Sequence, residues 1–568
     1  MTIAKRYKSI AEKFGANIAL AYLVDGQYKT ISYNDLDIYR ERLADIWHKL
    51  GFKKGETLAI MLPNAPEWII SDLAAATLGL IVVPLHTTYN GEYLKKMIKH
   101  SGSKYLVIHQ EFLEKHKAVI DSLNLDKIFI VNGQKDFVEK NISLWPDLDE
   151  ARSLSPIDTI VSSDDIHTII YTSGTTGDPK GVMLTHKNFI VDVESAKRSV
   201  AIYASDRFFS FLPLSHIFER TAGYYTPLFT GASVYFAQSS KTIIDDIKKA
   251  QPTILNSVPR IFEKVHDKVF DKIQNGGHLK RKLFFEAVQM SVDKRKGNLN
   301  FFRHIIWKIL DLLVLKKVRG VLGGKLRLAI SGGASLDLKI IKFFDNLGIK
   351  IIEGYGMTET SPIIALNKVE NSRPGTVGQA IDCNEVMIGD NKEILLRGAN
   401  VMAGYYQAED LTSEIIDKDG WLHTGDLGFI DKDGFISIIG RSKDVIVLST
   451  GKNIFPESIE NVLNESRYII QSMIYGDKQK HISAFIVPDF EQLKQWCVEQ
   501  GIKFDLKDEK IIKFYEEKIN ERLKESAKIE QINYFKLIPE EFTQENGLLT
   551  PTLKLRRYKI LEKYVNYI

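Results

Sequence analysis

The chain has 568 residues, 44% hydrophobic and 26% charged, with a formal net charge of +4 from 76 Lys/Arg and 72 Asp/Glu. That length exceeds a single hydrophobic core, so two to four domains or subdomains are expected, and the near-balanced charge argues against a dedicated nucleic-acid binder. Cys383 and Cys497 are the only cysteines; two so far apart offer neither a disulfide framework nor a zinc site and suit a reducing cytosol. The first ten residues lack the apolar core of a secretory signal, and no apolar run reaches the length of a membrane span. The expectation is an intracellular, cytoplasmic enzyme.

From about residue 55, short β-branched runs alternate with helical patterns. Thr57–Leu62 reads as a strand, Ala65–Ala76 as a helix with Pro66 at its start, and Leu80–Pro84 as the next strand; 104–108 and 127–131 continue the series. Such alternation indicates βα units and parallel sheets. Ile166–Ile170 is a further strand, and it empties into Tyr171-Thr-Ser-Gly-Thr-Thr-Gly-Asp-Pro-Lys-Gly181. Glycines there free backbone N–H groups to face anionic oxygens, the hydroxyls add donors and Lys180 adds a cation, which together suit a polyphosphate; a solvated turn is the alternative. The spacing is not that of the mononucleotide P-loop, because Gly174 and Gly177 are too close and Gly181 follows Lys180.

Between about 262 and 325 the chain becomes long, helical and basic. Apolar residues nearly encircle the segment Phe301–Arg319, so it reads as a helical layer packed on a sheet with its cations solvated, a membrane-surface helix being the alternative. Ser331-Gly-Gly-Ala334 follows a strand and lets backbone approach a flat ring. Glu353-Gly-Tyr-Gly-Met-Thr-Glu-Thr360, placed after another strand, offers the Tyr355 ring, the Thr358 hydroxyl and the Glu359 carboxylate; a carboxylate near a phosphate loop suits Mg²⁺. Trp421-Leu-His-Thr-Gly-Asp426 puts an acid at a glycine turn, able to accept from ribose hydroxyls or to form an Asx turn. Beyond it Asp431-Lys-Asp-Gly434 marks a hairpin. Gly440-Arg-Ser-Lys-Asp444 divides the chain into a domain of residues 1–440 and a second of 441–568, with a linker or hinge at Arg441–Asp444. Lys554 lies in a late loop within Asn546–Arg557.

These motifs, in this order, resemble the adenylate-forming superfamily over about residues 30 to 558. Phe211-Leu-Pro-Leu-Ser-His-Ile-Phe-Glu-Arg220, Val258–Lys264, the basic insertion and the Asn546–Arg557 segment resemble its long-chain fatty acyl-CoA synthetase branch. The resemblance implies an α/β fold: a large N-terminal domain of mixed, mainly parallel sheets flanked by helices, and a smaller, mobile α+β C-terminal domain. It implies fatty acid, ATP, Mg²⁺ and coenzyme A as reactants and cofactors, an acyl-adenylate intermediate, no nucleic acid, and room for peripheral membrane contact and a homodimer.

By the same resemblance, Thr172, Ser173, Gly174, Thr175, Thr176, Gly177 and Lys180 surround the β- and γ-phosphates, Thr358 meets the α-phosphate, and Glu359 with Thr175 holds Mg²⁺. Gly333, Ala334 and Tyr355 sandwich the adenine, and Asp426 takes the ribose with Arg441 assisting. Lys554 is the adenylating lysine, and His216 lies beside the acyl carboxylate, although a lone His in an apolar segment is more often structural. Lys443 matches the hinge residue about which the small domain rotates to bring the Gly451 region to CoA. The rival readings are an adenylating ligase for an aryl or medium-chain acid or for a carrier protein, and, more remotely, an inactive acyl- or nucleotide-binding protein.

Overall fold

The computed structural model describes residues 1–568 apart from 140, 151–153, 173–178, 240, 544–545, 551–553 and 565–568. The chain separates into two compact units, one of residues 1–386, 396–422 and 431–436, the other of 387–395, 423–430 and 437–568. Both combine sheets with flanking helices, as the α/β reading expects.

The first unit carries two large sheets. One has eight strands, in the order Gly404–Tyr405, Lys180–Thr185, Ile166–Thr172, Ile81–Pro84, Thr57–Met61, Tyr105–His109, Lys127–Val131 and Ile142–Leu144. Its members from Ile166–Thr172 to the far edge run parallel, and all but the edge strand Ile142–Leu144 are buried on both faces. The other has nine strands, with Lys350–Gly356, Leu328–Ser331, Ile254–Ser257 and Arg207–Ser210 side by side near its middle. Neighbours among these four also run parallel.

Helix Pro66–Leu78 begins with proline at its first position, where a missing N–H costs nothing, and ends on Gly79 in the left-handed region at φ 71°. Nearly all of it is buried, including Asp72. The carboxylate of Asp72 accepts from the guanidinium of Arg220 and from the hydroxyls of Tyr224 (2.9 Å) and Tyr225. Arg220 also donates to Thr168 Oγ1 at 2.8 Å, and His167 stands 3.2 Å from Asp72. Burial alone would neutralise this acid; the Arg220 guanidinium, with His167, instead holds its carboxyl well below the usual carboxylate range. A helix, the strand Ile166–Thr172 and the π-helical segment Glu219–Tyr225 are thereby fastened at one point.

The basic insertion folds as helices Pro259–Gln274, His278–Arg295 and Phe301–Leu310, the last continued by a π-helical turn to Leu315. Leu310 and Leu315 join Phe262, Val265, Phe284 and Ala287 in one core cluster. The packed-layer reading holds for that side only. The opposite side exposes Phe301, Phe302, Ile306, Ile309, Leu312 and Leu313, because apolar residues encircle the helix while the core meets one face.

The second unit is built on a three-stranded sheet of Ile469–Tyr475, Ser483–Pro488 and Tyr534–Leu537, the first pair antiparallel and the second parallel. Helices Pro456–Asn464, Phe490–Gln500, Glu509–Arg522 and Arg557–Tyr564 accompany it. Arg557 donates to both oxygens of Glu460 at 2.6 Å, and Glu460 also accepts from the N–H of Ile474 at 2.7 Å. The start of the last helix is thus tied to the sheet.

Arg220→Met should leave Asp72 buried beside two tyrosines with no cation, at a cost of about 3–5 kcal/mol. Guanidinium unfolding of the variant measures it. A loss below about 1 kcal/mol would mean that the ion pair is dispensable.

Candidate active site

In the first unit the glycine-rich segment joins two strands. Ile166–Thr172 runs antiparallel to Lys180–Thr185, with Thr172 opposite Lys180 and Tyr171 opposite Gly181. Ser173, Gly174, Thr175, Thr176 and Gly177 lie outside the described residues. The helix follows only at His186, after Thr185 caps it by accepting from the Asn188 N–H at 3.1 Å.

Tyr355 lies on the strand Lys350–Gly356, which runs three residues beyond Glu353 rather than ending before it. Its neighbour Leu328–Ser331 leads directly into Gly332, Gly333 and Ala334, so the Tyr355 ring and the two small residues issue from the carboxyl ends of adjacent parallel strands. Ligands of open α/β sheets bind at such ends. Gly333 takes φ +88° and, with Ala334, is exposed. Gly356 is demanded by close approach, since a Cβ there would stand 1.6 Å from the Pro362 carbonyl oxygen.

Thr358 and Glu359 occupy the short 3-10 turn Thr358–Thr360. The Glu359 carboxylate is buried, and Tyr405 donates its hydroxyl to Oε1 at 2.8 Å. Lys180 holds its ammonium 4.9 Å from the centroid of the same Tyr405 ring. Two residues singled out in the sequence, 179 positions apart, therefore share one aromatic partner that was not. Burial, together with the Glu359 charge, pushes the Tyr405 phenol far above its usual range, which keeps it a hydrogen-bond donor.

The segment that carries Tyr405 links both sheets of this unit. Met402 N–H donates to the Glu359 carbonyl at 2.8 Å, while Ala403 and Tyr406 donate to Met183 and Gly181 at 2.9 and 2.7 Å. Asn400 supports it by donating to the carbonyls of Thr360 and Ile363 and to Asp192, and Asn188 donates to the carbonyls of Ala399 and Val401 at 2.9 Å. Burial raises the Asp192 carboxyl well above the usual range, while the Asn400 amide and the Ile363 N–H, both donating to it, oppose the shift. Tyr405 and Asn400 went unnoticed in the sequence because a two-residue strand has no periodicity to read; Gly404 before paired tyrosines is the only local signal.

Mg²⁺ commonly takes one or two protein carboxylates and completes its shell with substrate phosphates and water. Glu359, with Oε1 engaged by Tyr405 and no further partner for its carboxylate among the described residues, fits that role. No group of three or more His, Cys, Asp or Glu able to hold a metal occurs among the described residues. His216 follows the strand Arg207–Ser210; its Nδ1 accepts from the Phe218 N–H at 3.3 Å and its carbonyl from the Arg220 N–H at 3.1 Å.

A separate cluster forms within the second unit. Asp426 stands inside the strand Leu422–Ile430 and not at a turn, and it is buried. The ribbon that presents it is fixed by Thr424 donating to the Ile394 carbonyl at 2.7 Å and by the Gly425 N–H donating to Glu393 at 2.9 Å. Arg441 Nε lies 3.1 Å from Asp426 Oδ1. Lys554 sits in a hairpin closed by the Leu549–Leu555 bridge, its N–H donating to Thr550 Oγ1 at 3.0 Å and its carbonyl accepting from the Thr550 N–H at 2.8 Å.

Lys554 lies within electrostatic reach of Arg441, Asp426, Glu457 and Asp444. Loss of hydration, then the Arg441 cation, lowers its ammonium below the usual lysine range, while the three carboxylates oppose the shift. Lys443 is exposed in the 3-10 turn Ser442–Asp444, and Gly451 tops the turn between Ile446–Val447 and Asn453–Ile454.

Residues 8–406 match the AMP-binding enzyme family, and residues 443–568 match the AMP-binding enzyme C-terminal domain. The chain belongs to the AMP-binding enzymes. This AMP-binding enzyme is 32% identical to long chain acyl-CoA synthetase 6, peroxisomal, of Arabidopsis thaliana, over 96% of this chain and 81% of that protein. It is 31% identical to long-chain-fatty-acid–CoA ligase 5 of Mus musculus, over 99% and 88%. O-succinylbenzoate coenzyme A synthetase from Bacillus subtilis, solved with AMP, shares its fold at a TM-score of 0.71 and 22% identity, over 98% of this chain and 97% of that one.

Tyr405→Phe should leave a buried carboxylate short of its donor, at a cost of about 1.5–3 kcal/mol. Urea unfolding of the variant reads this directly, and a stability equal to wild type would show that the hydroxyl is replaceable by water.

Proposed function

We propose that this AMP-binding enzyme is a long-chain fatty acid–CoA ligase, converting fatty acid, ATP and CoA into acyl-CoA, AMP and diphosphate through an acyl-adenylate. The observation that carries the reading is the convergence, within the second unit, of Asp426 and Arg441 from two neighbouring strands with Lys554 from more than 100 residues later in the chain. The long-chain acyl-CoA synthetases named among the relatives support the acid and the thiol.

In the first half-reaction a carboxylate oxygen attacks the α-phosphorus and the bond to diphosphate breaks. In the second, the CoA sulfur attacks the acyl carbonyl, the bond to AMP breaks and the thiol proton is released. An anion attacking an anion needs preorganised positive charge, usually the largest catalytic contribution. Lys554 would orient the carboxylate on the α-phosphate, and Asp426 with Arg441 would take the ribose hydroxyls. Thr172, the glycine-rich segment and Lys180 would face the β- and γ-phosphates, and Thr358 the α-phosphate. Mg²⁺, held through Glu359, would screen the charge of the leaving diphosphate. Gly333, Ala334 and Tyr355 would hold the adenine, and His216 would stand beside the acid. Lys443 would be the pivot between the two half-reactions, and the Gly451 turn would meet CoA. The same proposal gives the enzyme a peripheral position at the inner face of a membrane, where a sparingly soluble acid is concentrated.

ATP–diphosphate exchange against acids from acetate to long-chain fatty acids, and against aromatic acids, tests the reading, with CoA added afterwards. Exchange confined to aromatic or short acids would overturn the substrate, and no exchange with any acid would overturn the reaction. Lys554→Ala should lower exchange by roughly 10²–10³ while thioester formation from preformed acyl-adenylate stays near wild type. Equal losses in both steps would refute that division of labour.

The pH dependence follows from the ammonium being the active form. As pH rises through the Lys554 pKa the cation is lost, and because that pKa is lowered, exchange should decline at a pH below the value of about 10.4 of an unperturbed lysine. A pH profile of exchange with no basic limb in that range would contradict it.

A further inference from the structure

The helix Phe301–Leu310 and its continuation to Leu315 leave one side uncovered. Phe301 and Phe302 are 74% and 75% exposed, and Ile306, Ile309, Leu312 and Leu313 follow at helical spacing on the same side. Nowhere else among the described residues do six exposed large apolar side chains share one helical segment. Scattered exposed apolar residues are ordinary, but a contiguous patch marks an interaction surface. The buried Leu310 and Leu315 and the Trp307 indole, which donates to Ser291 Oγ at 3.0 Å, hold the opposite side against the unit. The outward side therefore cannot turn inward.

Charge decides what covers this face. Residues 278–319 contain eleven Lys/Arg and only three Asp/Glu in a chain that is otherwise nearly balanced. Two of the three acids are already paired, Asp293 with Arg303 at 2.9 Å and Asp311 with Arg319 at 2.7 Å. Lys308, Lys316 and Lys317 belong to the same helical run as the apolar side chains, and Lys280, Arg281 and Lys282 start the helix packed beside it. An apolar stripe flanked by cations is complementary to a surface with anionic headgroups above hydrocarbon. Long lysine stems let the charge stay at headgroup level while the aromatic rings sink below it. No helix among the described residues is long and apolar enough to cross a membrane, so the element would lie in the interface.

We propose that this face, from Phe301 to Leu313 with its flanking lysines, docks the enzyme on an anionic lipid bilayer. The inference deepens the peripheral position of the proposed ligase and rests on that reading for its purpose, delivery of a membrane-dissolved acid; the binding itself needs no turnover.

Flotation of the full chain with phosphatidylcholine vesicles, with and without phosphatidylglycerol, at low and high salt, tests it. Binding should require phosphatidylglycerol and weaken with salt. Phe302→Glu/Leu312→Glu and Lys308→Glu/Lys316→Glu/Lys317→Glu should each lower vesicle partitioning by about tenfold or more, with thermal melting unchanged. Absence of vesicle binding, or variants that bind as wild type does, would overturn the proposal. So would a dimer, seen by analytical ultracentrifugation, that is abolished by Phe302→Glu/Leu312→Glu without any vesicle binding, because the face would then belong to a second copy. Flotation is read without acid, ATP or CoA, so an enzyme that binds vesicles but fails to adenylate fatty acids would sink the substrate reading and leave the surface standing.

Discussion

The first unit depends on a charge buried on purpose. Asp72 and Arg220 are both fully removed from solvent, and neither ion is tolerable there alone. Their pairing obliges helix Pro66–Leu78, strand Ile166–Thr172 and the π-helical segment Glu219–Tyr225 to meet at one point. The strand leads into the glycine-rich segment, and the π-helical segment follows His216. The pair thus sets the register of two stretches that carry candidate site residues. Replacing it by hydrocarbon of matched shape would keep the packing but lose the directional bonds to Thr168 and the two tyrosines.

Tyr405 has a comparable role nearer the chemistry. Its hydroxyl holds a carboxylate and its ring faces an ammonium, while its backbone strand and the residues before it bond to both sheets. The carboxylate, the ring and the cation are arranged in sequence, so the Glu359 and Lys180 charges are placed without being spent on a direct ion pair. In the second unit a similar economy holds. Arg441 beside Asp426 satisfies the acid, and loss of hydration, with the Arg441 cation, lowers the affinity of Lys554 for its proton against three nearby carboxylates. Arg557, three residues after Lys554, anchors the hairpin end through Glu460.

Much of the fold was legible in the sequence. Short β-branched runs at 57–62, 80–84, 104–108 and 127–131 appear as parallel strands within a residue or two, because each is buried on both faces and must be apolar throughout. Motifs that are contiguous in the chain were visible for the same reason: glycine clusters and charged residues beside them need no partner to be noticed. Boundaries were less secure. The strand Lys350–Gly356 continues through Gly354 and Tyr355 because antiparallel pairing with Ile363–Leu366 extends it, and a glycine-rich stretch gives no warning of that. Asp426 looked like a turn residue and is a strand residue, held by bonds between Thr424, Gly425 and the segment 393–394.

The sequence by itself determined the alternation of strands and helices, membership of a family recognisable from ordered motifs, and the residue types available for nucleotide chemistry. These are properties of local composition and spacing. Only the tertiary structure decided that Tyr405 stands between Lys180 and Glu359, that Asp192 is buried beside Asn400, and that the apolar ring of the inserted helix is half covered. Each of those depends on which distant segments come into contact. Burial and pairing free energies arise from such contacts, and no spacing along the chain encodes them.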